Sequence, residues 1–310
     1  RLKTFGFNFK NIKNLNEEET VKLVRLDNLN IAIDLMGYTD QNRAIIFSNR
    51  LAPIQINYLG FPGTLGSKTY DYIIGDKIII PKKDERFYIE KVVRLKHFFP
   101  PNLCARGEYN NTLFLRKDFN IPEDAFVFAC FNTNKKITSK EFDVWMKILF
   151  ESENSVLWLS KSNNYSYLNL QKEALKRNID PNRIIFAERL KNKEEHLIRY
   201  SLSDLGLDTF NYNGHTTTSD ALWSGLPVLT KFGKSFASRV SASILHSFNL
   251  NDLIVTREEE YLEKALFLSQ NKKIIEKFKF KLKEIRGNNL LISQNYLRDL
   301  ENLFVKLLKR

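Results

Sequence analysis

Residues 205–230 read LGLDTFNYNGHTTTSDALWSGLPVLT. The apolar run Leu205–Phe210 reads as a strand and stops at the turn pair Asn213–Gly214. A short helical pattern over Thr216–Ser224 follows, and Pro227 then heads a second β-rich run, PVLTKF. Strand, turn, helix and strand in that order predict parallel α/β structure. The helix entry carries more than a cap needs, because one hydroxyl satisfies an N-cap, yet His215, Thr216, Thr217, Thr218 and Ser219 stand in a row. The first N–H groups of a helix have no internal partner and its dipole adds positive charge there, so this end favours an anion such as phosphate. Threonine hydroxyls add donors, His215 can reach a phosphate or sugar, and Asp220, one turn on, is placed to accept from a ribose hydroxyl. Plain capping by Thr and Ser accounts for the same residues without a ligand, and both readings stand at this point.

Working outward, the same alternation repeats. FVFACF (126–131) precedes a helix from Thr138–Ser139 to about Phe150, SVLWLS (155–160) precedes Tyr165–Arg177, and RIIFAE (183–188) precedes Lys193–Ser201. After the central motif, PVLTKF precedes Ser235–Asn249, and LIV (253–255) precedes Glu258–Gln270. Six strand–helix units in succession predict a doubly wound parallel sheet with all C-terminal strand ends on one edge, where ligands bind. The first 110 residues are less regular: a helix is read over Glu17–Leu29 and strands over NIAIDL (30–35) and DYIIGDKIII (71–80). YLGFPGTLGS (58–67) is loop by its turn residues. The polar, Pro-led stretch 100–112 marks a domain boundary, giving lobes at 1–112 and 113–292. Leu297, Leu300, Phe304 and Leu307 make 293–310 an amphipathic helix, which either packs on its own lobe or crosses to the first. Because the chain opens at Arg1 inside what reads as a strand, a first lobe truncated at its N-terminus is expected.

Composition narrows the class. The 310 residues, 43% hydrophobic and 27% charged, describe a globular protein long enough for two domains. No apolar run approaches the roughly 18 residues of a membrane span, and no charged-then-apolar leader is present. Two cysteines, Cys104 and Cys130, form no disulfide framework, so a cytoplasmic setting is expected. The net charge of +12 is concentrated in 271–310, which hold eleven Lys/Arg against four Asp/Glu. Such an excess attracts nucleic acid or other anions, or simply solvates lysine-rich helix faces. No zinc spacing, RNA-binding aromatic signature or helix-turn-helix pattern accompanies it, so no specific nucleic-acid partner is expected. Nothing in the sequence sets an oligomeric state.

Two further polar clusters follow neighbouring strands. Asn132, Thr133, Lys135 and Lys136 come directly after FVFACF, and a lysine there can neutralise a departing diphosphate as a point charge. Lys193, His196 and Arg199 fall at i, i+3, i+6 of the helix after RIIFAE, close to one face. Singly, each also reads as an exposed loop lysine or a solvated face. Together with the His215 motif they converge where a nucleotide would lie. The sequence has no GxGxxG, no GxxxxGK[ST] and no GxSxG, and no DxD pair or His/carboxylate cluster calls for a metal.

NSVLWLS, NRIIFAERLKNKEEHLIRY, LGLDTFNYNGHTTTSDALWSGLPVLT and SFASRVSASIL resemble the O-linked N-acetylglucosamine transferase family. These are inverting glycosyltransferases of the GT-B fold, with two Rossmann-like lobes, that use UDP-N-acetylglucosamine. DLMGYTDQNRAIIFSNRLAPIQINYLGFPGTLGSKTYDYIIGD (34–76) is similar to the family's first catalytic lobe. The resemblance implies transfer of N-acetylglucosamine to Ser/Thr hydroxyls of a protein or peptide acceptor, without a metal or other cofactor. It implies that Lys136 and His215 act on the UDP diphosphate, with Thr133 beside Lys136 and Thr216 and Thr217 at the helix entry. Lys193, His196 and Arg199 would line the uridine pocket and Asp220 would meet the ribose. The loop Leu59, Gly60, Pro62, Gly63 and Thr64 would face the sugar or acceptor. Family members carry earlier first-lobe histidines and tetratricopeptide repeats, which this sequence lacks; its histidines are His97, His196, His215 and His246. Alternatives are O-fucosyl or N-glucosyl transfer from another nucleotide sugar, or a nucleotide-binding scaffold without transfer.

Overall fold

The computed structural model describes residues 6–96, 114–287 and 289–309. His97, Cys104 and the polar connection 100–112 lie outside the described residues. The chain divides into two compact units, Arg1–Leu95 with Leu300–Arg310, and Lys96–Asp299.

The first unit is built on a parallel four-stranded sheet in chain order: β1 (Ile31–Asp34), β2 (Ile54–Asn57), β3 (Tyr72–Gly75) and β4 (Lys91–Arg94). Helix α1 (Glu17–Arg25) precedes it. Asn16 caps α1 by accepting from Glu19 N at 2.9 Å while Glu19 accepts from Asn16 N at 2.9 Å, a reciprocal pair that fixes the helix start. Val21 packs with Ala32, Phe47, Leu51, Leu65 and Tyr70 in this unit's core. Only Tyr72–Gly75 of the expected strand 71–80 is extended. At Asp76 the carboxylate accepts from Ile78 N and Ile79 N, turning the chain while Ile79 and Ile80 stay buried.

The second unit holds β5 (Phe126–Cys130), β6 (Ser155–Ser160), β7 (Ile184–Ala187), β8 (Leu205–Leu207), β9 (Val228–Lys231) and β10 (Ile254–Val255). Their spatial order is β10-β9-β8-β5-β6-β7, all parallel. The chain lays down β5 to β7 in one direction, returns to the other side of β5, and lays down β8 to β10 outward. Crossover helices are α2 (Ser139–Glu151), α3 (Asn164–Leu175), α4 (Lys193–Ile198), α5 (Thr216–Trp223) and α6 (Val240–Ser247), followed by α7 (Glu258–Gln270) and α8 (Lys272–Gly287). All six expected strand–helix units are present. The central strands are buried on both faces, with Phe128, Leu157, Trp158, Leu205 and Leu229 at 0% exposure, which is why they read as unbroken apolar runs. Helix α6 starts at Val240 rather than Ser235, because Ser235 and Ser238 bond to each other's backbone in a local turn.

Helix α9 (Asn289–Leu308) ends the chain, and its residues from Leu300 belong to the first unit. Of its apolar stripe Leu307 is buried, whereas Leu297 is exposed. Among the described residues no helix is long and apolar enough to cross a membrane.

Reversal of strand order opens a crevice at the C-terminal ends of β5 and β8, the place where doubly wound sheets bind ligands. The motif at 213–217 leaves β8 at this point, and Asn132–Lys136 leaves β5.

Candidate functional site

Asp208, directly after β8, organises the crevice. It is buried, and its Oδ1 accepts from Thr209 N at 2.9 Å, Gly214 N at 2.7 Å and Asn132 Nδ2 at 3.1 Å. Oδ2 accepts from Thr230 Oγ1 at 2.7 Å. One carboxylate thus ties together β8, β9, the turn before α5 and Asn132, two residues beyond β5. Asn213 is fixed as well: its Nδ2 donates to Thr209 O at 2.7 Å and its N to Ala237 O at 2.9 Å. Gly214 has no room for a side chain, since a Cβ there would stand 2.5 Å from Thr218 Oγ1 and 3.0 Å from Asn132 Oδ1. Ser241 Oγ donates to Gly214 O at 2.7 Å, so its own oxygen is left to accept from Thr218 Oγ1, also at 2.7 Å.

This bracing aims the start of α5 outward. No side chain caps the helix, and its first internal bond is Ser219 N to His215 O at 3.1 Å. The N–H groups of Thr216, Thr217 and Thr218 therefore have no helical acceptor. Thr216 is exposed and Thr217 half-buried, while Thr218 is turned inward to Ser241. The four-hydroxyl row is thus divided: Thr218 is structural and Thr216 and Thr217 remain open.

Lys136 meets this entry from β5. Residues 134–136 form a 3₁₀ turn begun by Thr133, whose carbonyl accepts Lys136 N at 3.0 Å. The Lys136 Nζ donates to Asn213 O at 2.7 Å and sits 3.9 Å above the Tyr212 ring. Tyr212 also packs edge-on against His215, 4.9 Å between centroids. Burial lowers the Lys136 pKa, opposed by the charge of Asp208. Thr133 itself is exposed and Asp220 is buried one turn into α5.

Burial, and then the Lys136 charge, push the His215 imidazole down to about 3, so at neutral pH it is an uncharged donor or acceptor. Its Nε2 lies 3.4 Å from Ala237 O. With a folded value below the ordinary 6.5, the unfolded chain binds the proton first as pH falls, and stability drops between about 6.5 and 3. Replacing His215 with Gln is expected to flatten that acid limb in urea unfolding series at stepped pH. Parallel acid limbs in the two proteins would remove the assignment.

The third cluster is split. Arg199 is buried, spans the Phe131 ring at 4.5 Å and donates from Nη1 to Glu188 O at 2.7 Å, with its pKa lowered by burial. His196 lies 6.0 Å from the Phe131 ring and 5.2 Å from Tyr200. Both residues thus gather around Phe131 at the end of β5, next to Asn132. Lys193 opens α4 as an exposed side chain and is not drawn in. Among the described residues no group of three or more His, Cys, Asp or Glu side chains is placed to hold a metal ion.

In the first unit, Leu59–Thr64 follows β2. Leu59 has φ +72°, and a Cβ on Gly60 would stand 2.0 Å from Leu35 O. Gly63 O accepts from Asn57 Nδ2 at 3.0 Å, and the Thr64 hydroxyl donates to buried Glu90. Sequence reading missed Asp208, Tyr212 and Glu90. The first stood in plain view in LGLDTF, where a lone acid closing an apolar strand at a turn is the available signal.

The profile described as Glycosyl transferase family 41 matches residues 11–101 and 102–300. A probable UDP-N-acetylglucosamine–peptide N-acetylglucosaminyltransferase, SEC, of Arabidopsis thaliana is 33% identical over 316 residues, covering 99% of this chain and 32% of that protein. A mutant O-GlcNAc transferase of Thermobaculum terrenum superposes with TM-score 0.85 at 26% identity, over 96% of this chain and 56% of that one. Anabaena Alr3699/HepE, solved with UDP-glucose, shares the fold at TM-score 0.61 and 12% identity, over 92% of this chain and 82% of that one. The chain spans about a third of the length of the plant relative it matches. Two Rossmann-like parallel sheets of the GT-B class, as expected, are common to these structures. The chain belongs to glycosyl transferase family 41.

Proposed function

We propose that this chain is the catalytic region of an inverting protein glycosyltransferase that moves N-acetylglucosamine from UDP-N-acetylglucosamine to Ser/Thr hydroxyls of a protein or peptide. The observation that carries the reading is the cation Lys136 held beside the open start of α5, at the switch point of a doubly wound sheet. Names of the relatives supply the donor and acceptor class. The acceptor oxygen attacks the anomeric carbon opposite UDP, and the bond to UDP breaks with its electron pair passing to the diphosphate. Lys136, the N–H groups of Thr216 and Thr217 and their hydroxyls meet that charge, so in this reading no metal takes part. Neutral His215 contributes a hydrogen bond rather than a charge. His196 and Arg199 around Phe131 form the uridine side, Asp220 the ribose side, and Leu59–Thr64 the acceptor side. Lys193 and Thr133, both exposed, take the margin of the site in this reading. A cytoplasmic setting belongs to the same reading and is supported by Cys130 being a buried free thiol.

Calorimetry with UDP and a radiolabel transfer assay on an acceptor peptide test it together. UDP binding with transfer from UDP-N-acetylglucosamine, and none from GDP-fucose or UDP-glucose, is expected. Binding without transfer from any donor supports a nucleotide scaffold instead, and no UDP binding overturns the site.

A further inference from the structure

Buried carboxylates usually appear where they are fully hydrogen-bonded. Glu90 is 2% exposed and stands just before β4. Its Oε1 accepts from Leu65 N at 2.7 Å and from Asn57 Nδ2 at 3.3 Å, and its Oε2 accepts from the Thr64 hydroxyl. Asn57, itself buried at the end of β2, uses the same amide to hold Gly63 O at 3.0 Å. Thr64 Oγ1 in turn accepts from Gly66 N at 3.0 Å. Tyr38 closes the far side, donating to Leu65 O at 2.7 Å and packing against Phe61 at 5.5 Å. Every polar group of residues 63–65 named here is spent inward on protein, so the Thr64 hydroxyl has its donor committed to Glu90.

We propose that Glu90 is a positioning residue for the reaction: through Thr64, Leu65 and Asn57 it locks the 59–65 loop in the conformation that receives the acceptor. This role rests on the proposed function, which puts that loop on the acceptor side. A carboxylate suits the task because three donors converge on it, and charge-assisted bonds hold a loop more rigidly than neutral ones. Loop precision matters for transfer, since a shift of about 1 Å in a substrate-positioning element commonly costs up to about 100-fold in rate.

Thr64→Val removes the hydroxyl at constant shape, Thr64→Ser restores it, and Glu90→Gln keeps the side-chain volume. Each is assayed for acceptor KM and kcat, for UDP affinity by calorimetry, and for hydrogen exchange at the Leu65 amide. Thr64→Val is expected to lose about tenfold or more in kcat/KM for the acceptor, with faster Leu65 exchange, unchanged UDP affinity and an intact thermal transition. Thr64→Ser should regain the Leu65 protection that Thr64→Val loses, and Glu90→Gln should fall between the two. A purely architectural Glu90 would lower the melting temperature and leave the acceptor kinetics alone, and that outcome overturns the role. So does a Thr64→Val protein that transfers like an active wild type. A wild-type protein that binds UDP but transfers nothing overturns the functional reading itself, and the role of Glu90 with it.

Discussion

Lys136→Ala is expected to lower kcat about 10²–10³-fold while weakening UDP binding far less. The asymmetry follows from where the charge develops. Bound UDP-sugar already carries its diphosphate charge, but breaking the anomeric bond adds a further negative charge to the leaving oxygen. Preorganised donors aimed at such a charge are worth about 2.7–4 kcal/mol each, because they need no reorganisation as it appears. Lys136 is preorganised in that sense: one Nζ proton is engaged by Asn213 O at 2.7 Å and the ring of Tyr212 lies 3.9 Å below. An ammonium has three donors, so others remain for the ligand. Burial lowers the Lys136 pKa, so the cation is lost on raising pH sooner than an exposed lysine would be, and kcat should fall on its alkaline limb accordingly. Arginine is a poor replacement, because a planar fork does not fit a seat made for a compact ammonium. Rates at saturating donor, beside UDP titrations, measure both halves. An alanine variant turning over within about threefold of wild type would dismiss Lys136 from this role.

The parts of this molecule that were legible in its sequence share one property: their side chains do a single job. FVFACF and SVLWLS are buried on both faces of the sheet, and burial alone dictates their composition. Strands β2 and β4 escaped notice because IQIN and KVVR do not look like strand interiors. Gln55 is fully buried, yet it is polar because it accepts from Leu51 N and donates to Phe47 O and Thr69 O, stitching neighbouring loops to the sheet. Asn57 does the same for the 59–65 loop. At the site, the row from His215 to Thr218 and Lys136 stood out because hydroxyls and a cation were in excess of structural need. Asp208 and Glu90 gave only a weak signal, because a single acid at a strand boundary has many ordinary uses. What sets Asp208 and Glu90 apart is convergence of donors from separate stretches of the chain, as from Asn132, 76 positions before Asp208, and Asn57, 33 positions before Glu90. Sequence order cannot display that.

Asp208→Asn separates building the site from holding the fold, and its expected result is a large loss of UDP affinity at nearly unchanged stability. Burial raises the Asp208 pKa above the ordinary 3.8, partly offset by hydrogen bonds from Gly214 and Thr230 and by the Lys136 charge. The sign is that of an acid whose folded value exceeds its unfolded one. Its favourable contribution is complete below about 3.8 and is lost as pH rises through the folded value. Once ionised the carboxylate therefore works against stability, and a neutral amide of the same shape removes that cost, as isosteric replacement of buried charges often does. Against this, the amide nitrogen adds two donors to a seat lined by the donors of Thr209, Gly214, Asn132 and Thr230. One mispaired charge-assisted contact costs about 1.5–3 kcal/mol, and it falls on the turn before His215 and Thr216, the proposed diphosphate contacts. Lys136 also loses the opposite charge that favours its protonated form. UDP affinity should fall by roughly 10–100-fold, while the stability of the variant relative to wild type improves between pH 4 and pH 7. Calorimetry and urea unfolding at both pH values read the two quantities independently. Wild-type UDP affinity in Asp208→Asn, or a relative stability that worsens as pH rises, would show that this carboxylate holds the fold and does not shape the site.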